Sequence, residues 1–145
     1  MDHLGRIVGY HTWATLRLID RCLELTPEQL ELSTPGTYGS IHATLGHLVR
    51  SDGWFLSGAL GEELGPPPQG PPPSVATLRA DAERQAGRWR ELLDRGDPAE
   101  TAHAVGPFLT QAIHHGAEHR THVCSVLGAH GLEVPDVSGW AYVSS

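Results

Sequence analysis

The sequence has few cysteines, and their positions make two kinds of site unexpected. Among 145 residues there are two cysteines, Cys22 and Cys124, and they form no Cys-x-x-Cys pair. Neither a disulfide framework nor a thiolate metal site is therefore indicated. Each cysteine lies in an apolar helical stretch, which is typical of a buried free thiol. We expect a cytoplasmic protein with both thiols reduced.

Long apolar runs and an excess of basic residues are also absent. No apolar run approaches the ~18–20 residues that span a bilayer, and residues 1–6 lack the apolar stretch of a signal peptide. Ten lysine and arginine residues stand against seventeen aspartate and glutamate residues, which gives a net charge of −7. The basic residues form no run. The sequence therefore predicts neither a membrane nor a nucleic acid as a partner.

Hydrophobic residues recur with a helical period in four stretches, and we find no strand-like alternation. The dense proline run within residues 65–73 cannot continue a helix and separates the second stretch from the third. The pattern predicts an all-α protein, a four-helix bundle in one domain over residues 1–145, with a long crossover loop between helices two and three. The predicted helices are residues 2–25, 41–60, 74–95 and 107–131.

Three connecting segments carry signals of their own. Thr26 and Pro27 are the cap and first-turn proline of one short helical turn. Residues 96–106 are expected to be irregular, with Pro107 in the first turn of the last long helix. Residues 132–145 contain aromatic side chains, which favours a tail that packs back onto the bundle.

Residues 113–122 include four histidines and are the most informative segment. His115 and His119 are four positions apart, so a helix would place both imidazoles on one face, about 6 Å apart along its axis. A buried imidazole needs a polar partner, which points to a divalent metal; imidazole ligands suit zinc or nickel. At about 100° per residue, the same face carries Phe108, Ala112, His122 and Val126.

Spacing alone leaves two other interpretations open. In a chain with ten histidines, a His-x-x-x-His pair can arise by chance and be inert. His115, Glu118 and His119 also match the His-x-x-Glu-His pattern of the inverzincin proteases. Those enzymes take a further carboxylate ligand from far downstream, whereas only a short tail follows here. A protease is therefore disfavoured.

Several motifs together resemble the DinB/YfiT-like family, and they run along nearly the whole chain. The family's last helix usually continues as His-Arg-Gly-Gln, whereas this chain has Thr121 and His122 after Arg120. The resemblance implies a helical bundle in which three histidines bind a divalent metal. The motifs are Tyr-His-Thr-Trp-Ala at 10–14, Gly-Ser-Ile at 39–41, Leu-Gly-His-Leu-Val at 45–49, Asp52-x-Trp54, and His115-x-x-x-His119-Arg120.

By position, the resemblance identifies His47, His115 and His119 as the metal ligands. His47 lies at the edge of the apolar stripe of the second helix, where a lone histidine is more often a hydrogen-bonded core-edge residue. Its candidacy as a ligand depends on the pair in the last helix.

The resemblance implies chemistry with a low-molecular-weight thiol, such as bacillithiol or mycothiol, because some members are similar to metal-dependent transferases or isomerases. Three neutral ligands leave a metal doubly charged with an open position. A thiol entering there would lose its proton and could attack an electrophile. A water molecule would become hydroxide, so a metal-dependent hydrolase is an alternative. A non-enzymatic, stress-associated metal-binding scaffold is the other.

Two further histidines are candidate catalytic residues. His11 falls in the apolar stripe of the first helix, where it could face the metal as a proton carrier. His122 lies one turn beyond His119 and could face the substrate. A histidine hydrogen-bonded within the core is the equally open interpretation of His11.

The first helix also bears on association. Leu16, Ile19 and Leu23 lie beside its main apolar stripe, which makes the apolar face wider than one core requires. We therefore expect a homodimer that uses helix one or two.

Overall fold

The computed structural model describes residues 2–95 and 98–145, and it describes residues 98–104 by their backbone alone. This part of the chain is helical and contains no β-strand, as predicted for an all-α protein. Four long helices and two short ones follow one another along the chain. They are α1 (His3–Cys22), α2 (Pro27–Leu30), α3 (Ile41–Ala59), α4 (Val75–Asp94), α5 (Pro98–Ala129) and α6 (Gly139–Val143).

The long helices form a bundle. Helix α3 packs against both α4 and α5, and α1 packs against the same two helices. Aliphatic residues from all four fill one end of the core, around Leu18, Leu45, Leu78 and Val123, which are fully buried. A second cluster surrounds the buried Trp89 of α4. The apolar faces predicted from the helical period thus meet in the core, except at the start of α1, where Leu4 and Ile7 of the predicted apolar stripe are exposed.

Side-chain caps explain where several helices begin. Asp2 precedes α1 and accepts a hydrogen bond from the backbone N–H of Gly5 at 2.6 Å. Ser40 precedes α3 and accepts from the N–H of Ala43 at 3.0 Å. Thr26 begins the predicted short turn, α2, with a complete capping box. Each cap satisfies a backbone N–H that the first turn leaves without a helical partner.

The last long helix begins earlier than predicted. Helix α5 starts at Pro98, so the expected irregular segment is helical over residues 98–106, and Pro107 lies inside the helix instead of in its first turn. A proline within a helix removes one backbone hydrogen bond. Val105, two residues before this proline, is buried in the cluster around Trp89. Gly96 and Asp97, also part of that prediction, lie outside the described residues.

Side chains of α3 donate hydrogen bonds to the backbone of the predicted long loop between α3 and α4. The guanidinium of Arg50 donates to the carbonyls of Gln69, Gly70 and Pro71 at 2.8–3.3 Å. The indole of Trp54 donates to the carbonyl of Gly65 at 3.0 Å. The proline-rich segment, which has few hydrogen bonds of its own, therefore lies along α3.

The tail packs back onto α1, as predicted. Side chains of α1 donate hydrogen bonds to backbone carbonyls of the tail. The Tyr10 hydroxyl donates to the carbonyl of Val137 at 2.9 Å, and Arg17 Nε donates to that of Asp136 at 2.8 Å. The short helix α6 was not predicted. Its signal in the sequence is Ser138, which caps it by accepting from the N–H of Ala141.

Helix α1 is less free for association than its sequence suggested. Ile19 is fully buried in the core and Leu16 is partly buried against it, so only Leu23 of the three residues is exposed. Exposed apolar side chains of α1 lie nearer its start, at Leu4 and Ile7. The homodimer stays a prediction. Among the described residues, no helix is long and apolar enough to cross a membrane.

Gly46 lets the proline-rich loop approach α3, and we expect Gly46→Ala to lower the free energy of unfolding by about 1–3 kcal/mol. A Cβ at this position would overlap the ring of Pro72. Gly87→Ala in α4 is the matched control, because the nearest atom to its new Cβ is Arg90 Nη2 at 3.9 Å. That variant should gain about 0.5–1 kcal/mol from helix propensity. Urea denaturation measures the free energy of unfolding of both variants. Equal stabilisation by the two substitutions would contradict the close approach of Pro72 to Gly46.

Candidate metal centre

Two packed helices bring the three predicted ligands together. His47 lies in the middle of α3, and His115 and His119 lie one turn apart in α5. Helices α3 and α5 pack against each other. His115 and His119 are buried, and His47 is half-buried. The spacing of four in α5 thus presents two imidazoles to the face of α3 that carries the third.

The three imidazoles converge closely enough to hold one ion. One ligand atom from each residue lies within 4.8 Å of the other two. The Nε2 atoms of His47 and His115 are 2.9 Å apart, and the ring centroids of His115 and His119 are 4.3 Å apart. Tetrahedral Zn²⁺–N bonds of 2.0–2.1 Å would separate two nitrogens by about 3.3 Å. The cluster therefore fits a divalent metal with small adjustments, and the assignment of these residues as ligands stays a prediction.

Burial keeps the cluster in the protonation state that binds metal. Burial, and secondarily the neighbouring histidines, lower the pKa of His115 and of His119 to about 4. Burial and the positive charge of Arg50 lower the pKa of His47 below its ordinary value. All three are thus neutral near pH 7, with a nitrogen lone pair available for a ligand bond.

In two of the three histidines, the ring nitrogen Nδ1 contacts another side chain, which orients the ring. His119 Nδ1 is 3.2 Å from Nδ1 of His122, and His47 Nδ1 is 3.4 Å from Oγ of Ser51. Both contacts engage Nδ1, which leaves Nε2 of His47 and of His119 for an ion. Partners of this kind fix the tautomer and the direction of a metal-binding imidazole.

Aromatic rings border the triad formed by His47, His115 and His119 on two sides. The Tyr38 ring stacks on His47 with centroids 4.3 Å apart and an interplanar angle of 7°. The same ring meets His119 edge-on at 5.1 Å. On the other side, Phe55 meets His115 edge-on at 5.3 Å. Tyr38 was not predicted from the sequence, because a loop residue has no periodicity that indicates which way its side chain points.

His11, one of the two candidate catalytic residues, belongs to a separate buried network. Its Nε2 donates to Oδ1 of Asp52 at 2.7 Å, and its Nδ1 accepts from Nη1 of Arg120 at 3.2 Å. The indole of Trp89 donates to the other carboxylate oxygen of Asp52 at 3.0 Å. Both ring nitrogens of His11 are therefore occupied, which favours the alternative interpretation of a hydrogen-bonded core histidine.

The other candidate, His122, lies beside the triad through its contact with His119 and is half-buried. Glu118, part of the protease-like pattern, is 3.7 Å from the exposed His114 and does not belong to the group of convergent ligand atoms. Glu118 therefore offers no carboxylate to the triad, which weakens the resemblance to a protease further.

Five cavities with volumes of about 310–540 Å³ open on the surface, and none of these five is lined by His47, His115 or His119. Helices α3 and α5, which carry the three histidines, pack against each other, and the ring of Tyr38 stacks on His47.

The fold and the cluster define a class of protein, a helical bundle with three convergent imidazoles that could hold a metal ion between two of its helices. Sequence comparison gives the family. The profile of the DinB superfamily matches residues 10–123. Because this match covers most of the chain, the protein belongs to the DinB superfamily, which confirms the resemblance carried by its motifs. A search of the curated proteins finds no match.

Proposed function

We propose that this protein binds one divalent metal, zinc or nickel, through His47, His115 and His119, and that it is a metal-dependent transferase that activates a low-molecular-weight thiol. The observation that carries the proposal is the convergence of three neutral imidazoles within 4.8 Å. Three protein ligands are typical of catalytic metal sites, which keep a position open, whereas structural sites are closed by four.

In this proposal each residue at the site has a separate role. His47, His115 and His119 would hold the ion. When bound, the metal would supply the positive charge that lowers the pKa of a thiol at the open position. His122 would accept the Nδ1 proton of His119 in a hydrogen bond and so orient that ligand. We keep His122 as a candidate proton carrier and assign His11 a structural role, because both of its ring nitrogens are occupied.

Two alternatives compete with the transferase. A metal-dependent hydrolase would use the same open position for water. A non-enzymatic metal-binding scaffold is favoured by a specific observation, since the triad lines none of the five cavities of 310–540 Å³. An enzyme site normally buries most of its ligand in a pocket.

A metal analysis followed by a thiol screen tests the proposal. We expect purified protein to bind one equivalent of zinc or nickel per chain and, when metallated, to accelerate conjugation of a small thiol to an electrophile. Both substrates would be small molecules, and we propose a cytoplasmic setting for them. A metallated protein that accelerates hydrolysis alone would support the hydrolase, and one that accelerates neither reaction would support the scaffold. A chain that binds no divalent metal would contradict all three.

A further inference from the structure

Tyr38 is the aromatic residue that bridges two of the three predicted ligands. It precedes α3, in the loop after α2. Its ring lies parallel to the His47 ring at 4.3 Å and presents an edge to His119 at 5.1 Å. Half of its surface is exposed. The ring therefore lies between solvent and the imidazoles that would hold the ion.

The loop backbone, and not the Tyr38 ring, keeps this segment in place. Thr37 donates from its backbone N–H and from its hydroxyl to the carbonyl of Thr34, at 3.2 and 2.7 Å. The N–H of Ile41 donates to the carbonyl of Leu32 at 3.0 Å and closes the loop at its base. Removal of the ring should therefore leave the turn and the start of α3 intact.

The position of the ring has a steric consequence. None of the five cavities of 310–540 Å³ is lined by a residue of the triad, and Tyr38 stacks on His47 and meets His119 edge-on. A ligand as small as water or a two-carbon thiol needs little space beside the ion. A ligand with a bulky group next to its sulfur would have to displace the Tyr38 ring from His47 before it could bind.

We propose that Tyr38 is a specificity-determining residue that limits the size of the ligand at the metal's open position. The inference rests on the proposed function, because it requires a metal at the triad. A stacked aromatic pair contributes roughly 2- to 13-fold to an equilibrium constant. Displacement of the ring would reduce the affinity for a bulky ligand by about that factor and would leave a small ligand unaffected.

The test uses two uncharged thiols of different size. The protein is loaded with Co²⁺, and 2-mercaptoethanol or 1-thioglucose is titrated while the thiolate-to-cobalt absorbance band is followed. The measured quantity is the ratio of the two dissociation constants, which cancels differences in metal content. The variants are Tyr38→Ala, Tyr38→Phe and, as a control, Trp140→Ala, which removes an aromatic ring that is 84% exposed on α6.

We expect Tyr38→Ala to lower the ratio of the 1-thioglucose constant to the 2-mercaptoethanol constant by about 2- to 13-fold. Tyr38→Phe and Trp140→Ala should match the wild type, since both keep the ring over His47. An unchanged ratio in Tyr38→Ala would overturn the role of Tyr38 while leaving the metal site intact. A Tyr38→Phe variant that behaves like Tyr38→Ala would also overturn it, because the hydroxyl would then be responsible. A wild type that takes up no Co²⁺ would instead overturn the proposed function, and the size limit with it.

Discussion

A His119→Ala variant should lose its metal while the bundle stays folded. The substitution removes one of three imidazoles that converge within 4.8 Å. Loss of a residue that merely orients a ligand costs 10- to 100-fold in metal affinity, so loss of the ligand itself should cost more than about 100-fold. The apolar faces of α3 and α5 do not depend on the ion, so the circular dichroism spectrum should be unchanged. Titration with Zn²⁺ against a competing chelator measures the affinity, and thiol conjugation should disappear with the metal.

His114→Ala is the matched control for this experiment. His114 lies on the same helix, but its side chain is 69% exposed and lies 3.7 Å from the carboxylate of Glu118. This variant should bind metal and turn over substrate as the wild type does. His122→Asn should give an intermediate result, with metal affinity about 10- to 100-fold weaker, because it removes a residue that orients His119. Equal affinities for His119→Ala and His114→Ala would contradict the proposed ligand set.

The sequence predicts the local part of the metal centre and leaves the long-range part open. The helical period places His115 and His119 on the buried face of α5, because positions four apart necessarily lie on one face. That His47 faces them from α3 follows only from the family resemblance. Periodicity identifies which face of a helix is apolar, but it does not identify the helix that packs against that face.

The same limit explains what was missed. Residues 98–106 are helical, and Val105 among them packs into the cluster around Trp89, a contact that a local proline and glycine pattern does not reveal. Tyr38 reaches the triad from a loop. His11 finds its partners Asp52 and Arg120 at separations of 41 and 109 residues. Each of these features is a tertiary contact, and none has a local sequence signal.

The network around His11 joins all four long helices through buried polar groups. Asp52 of α3 accepts hydrogen bonds from His11 of α1 and from Trp89 of α4. Arg120 of α5 donates to His11 and, at 3.0 Å, to the hydroxyl of Thr15. Burial lowers the pKa of Arg120 below its ordinary value. The imidazole of His11 thus lies between a buried carboxylate and a buried guanidinium, and Asp52 and Tyr10 both offset the buried charge of Arg120.

Asp52→Ala should therefore reduce the free energy of unfolding by about 3–5 kcal/mol, because it leaves the buried donors of His11 and Trp89 without their acceptor and removes a carboxylate that offsets the charge of Arg120. Asp20→Ala is the matched control. It breaks the 2.6 Å ion pair with Arg79 on the surface, where both side chains are partly exposed, and should cost at most about 1 kcal/mol. Urea denaturation of the metal-free protein measures both and excludes any contribution from the ion.

A double variant shows why Asp52→Ala lowers the free energy of unfolding. The cause is either the buried charge of Arg120, which loses a carboxylate that offsets it, or the cavity that the missing side chain leaves. Residues in one hydrogen-bonded network couple by about 0.5–3 kcal/mol, whereas independent sites add. If the two charges compensate each other through His11, Asp52→Ala combined with Arg120→Ala should be less destabilising than the sum of the single variants. A double variant whose loss equals that sum would mean that Asp52 and Arg120 stabilise the bundle independently. In that case packing around Trp89, and not charge compensation, would account for the burial of Asp52 between α1 and α4.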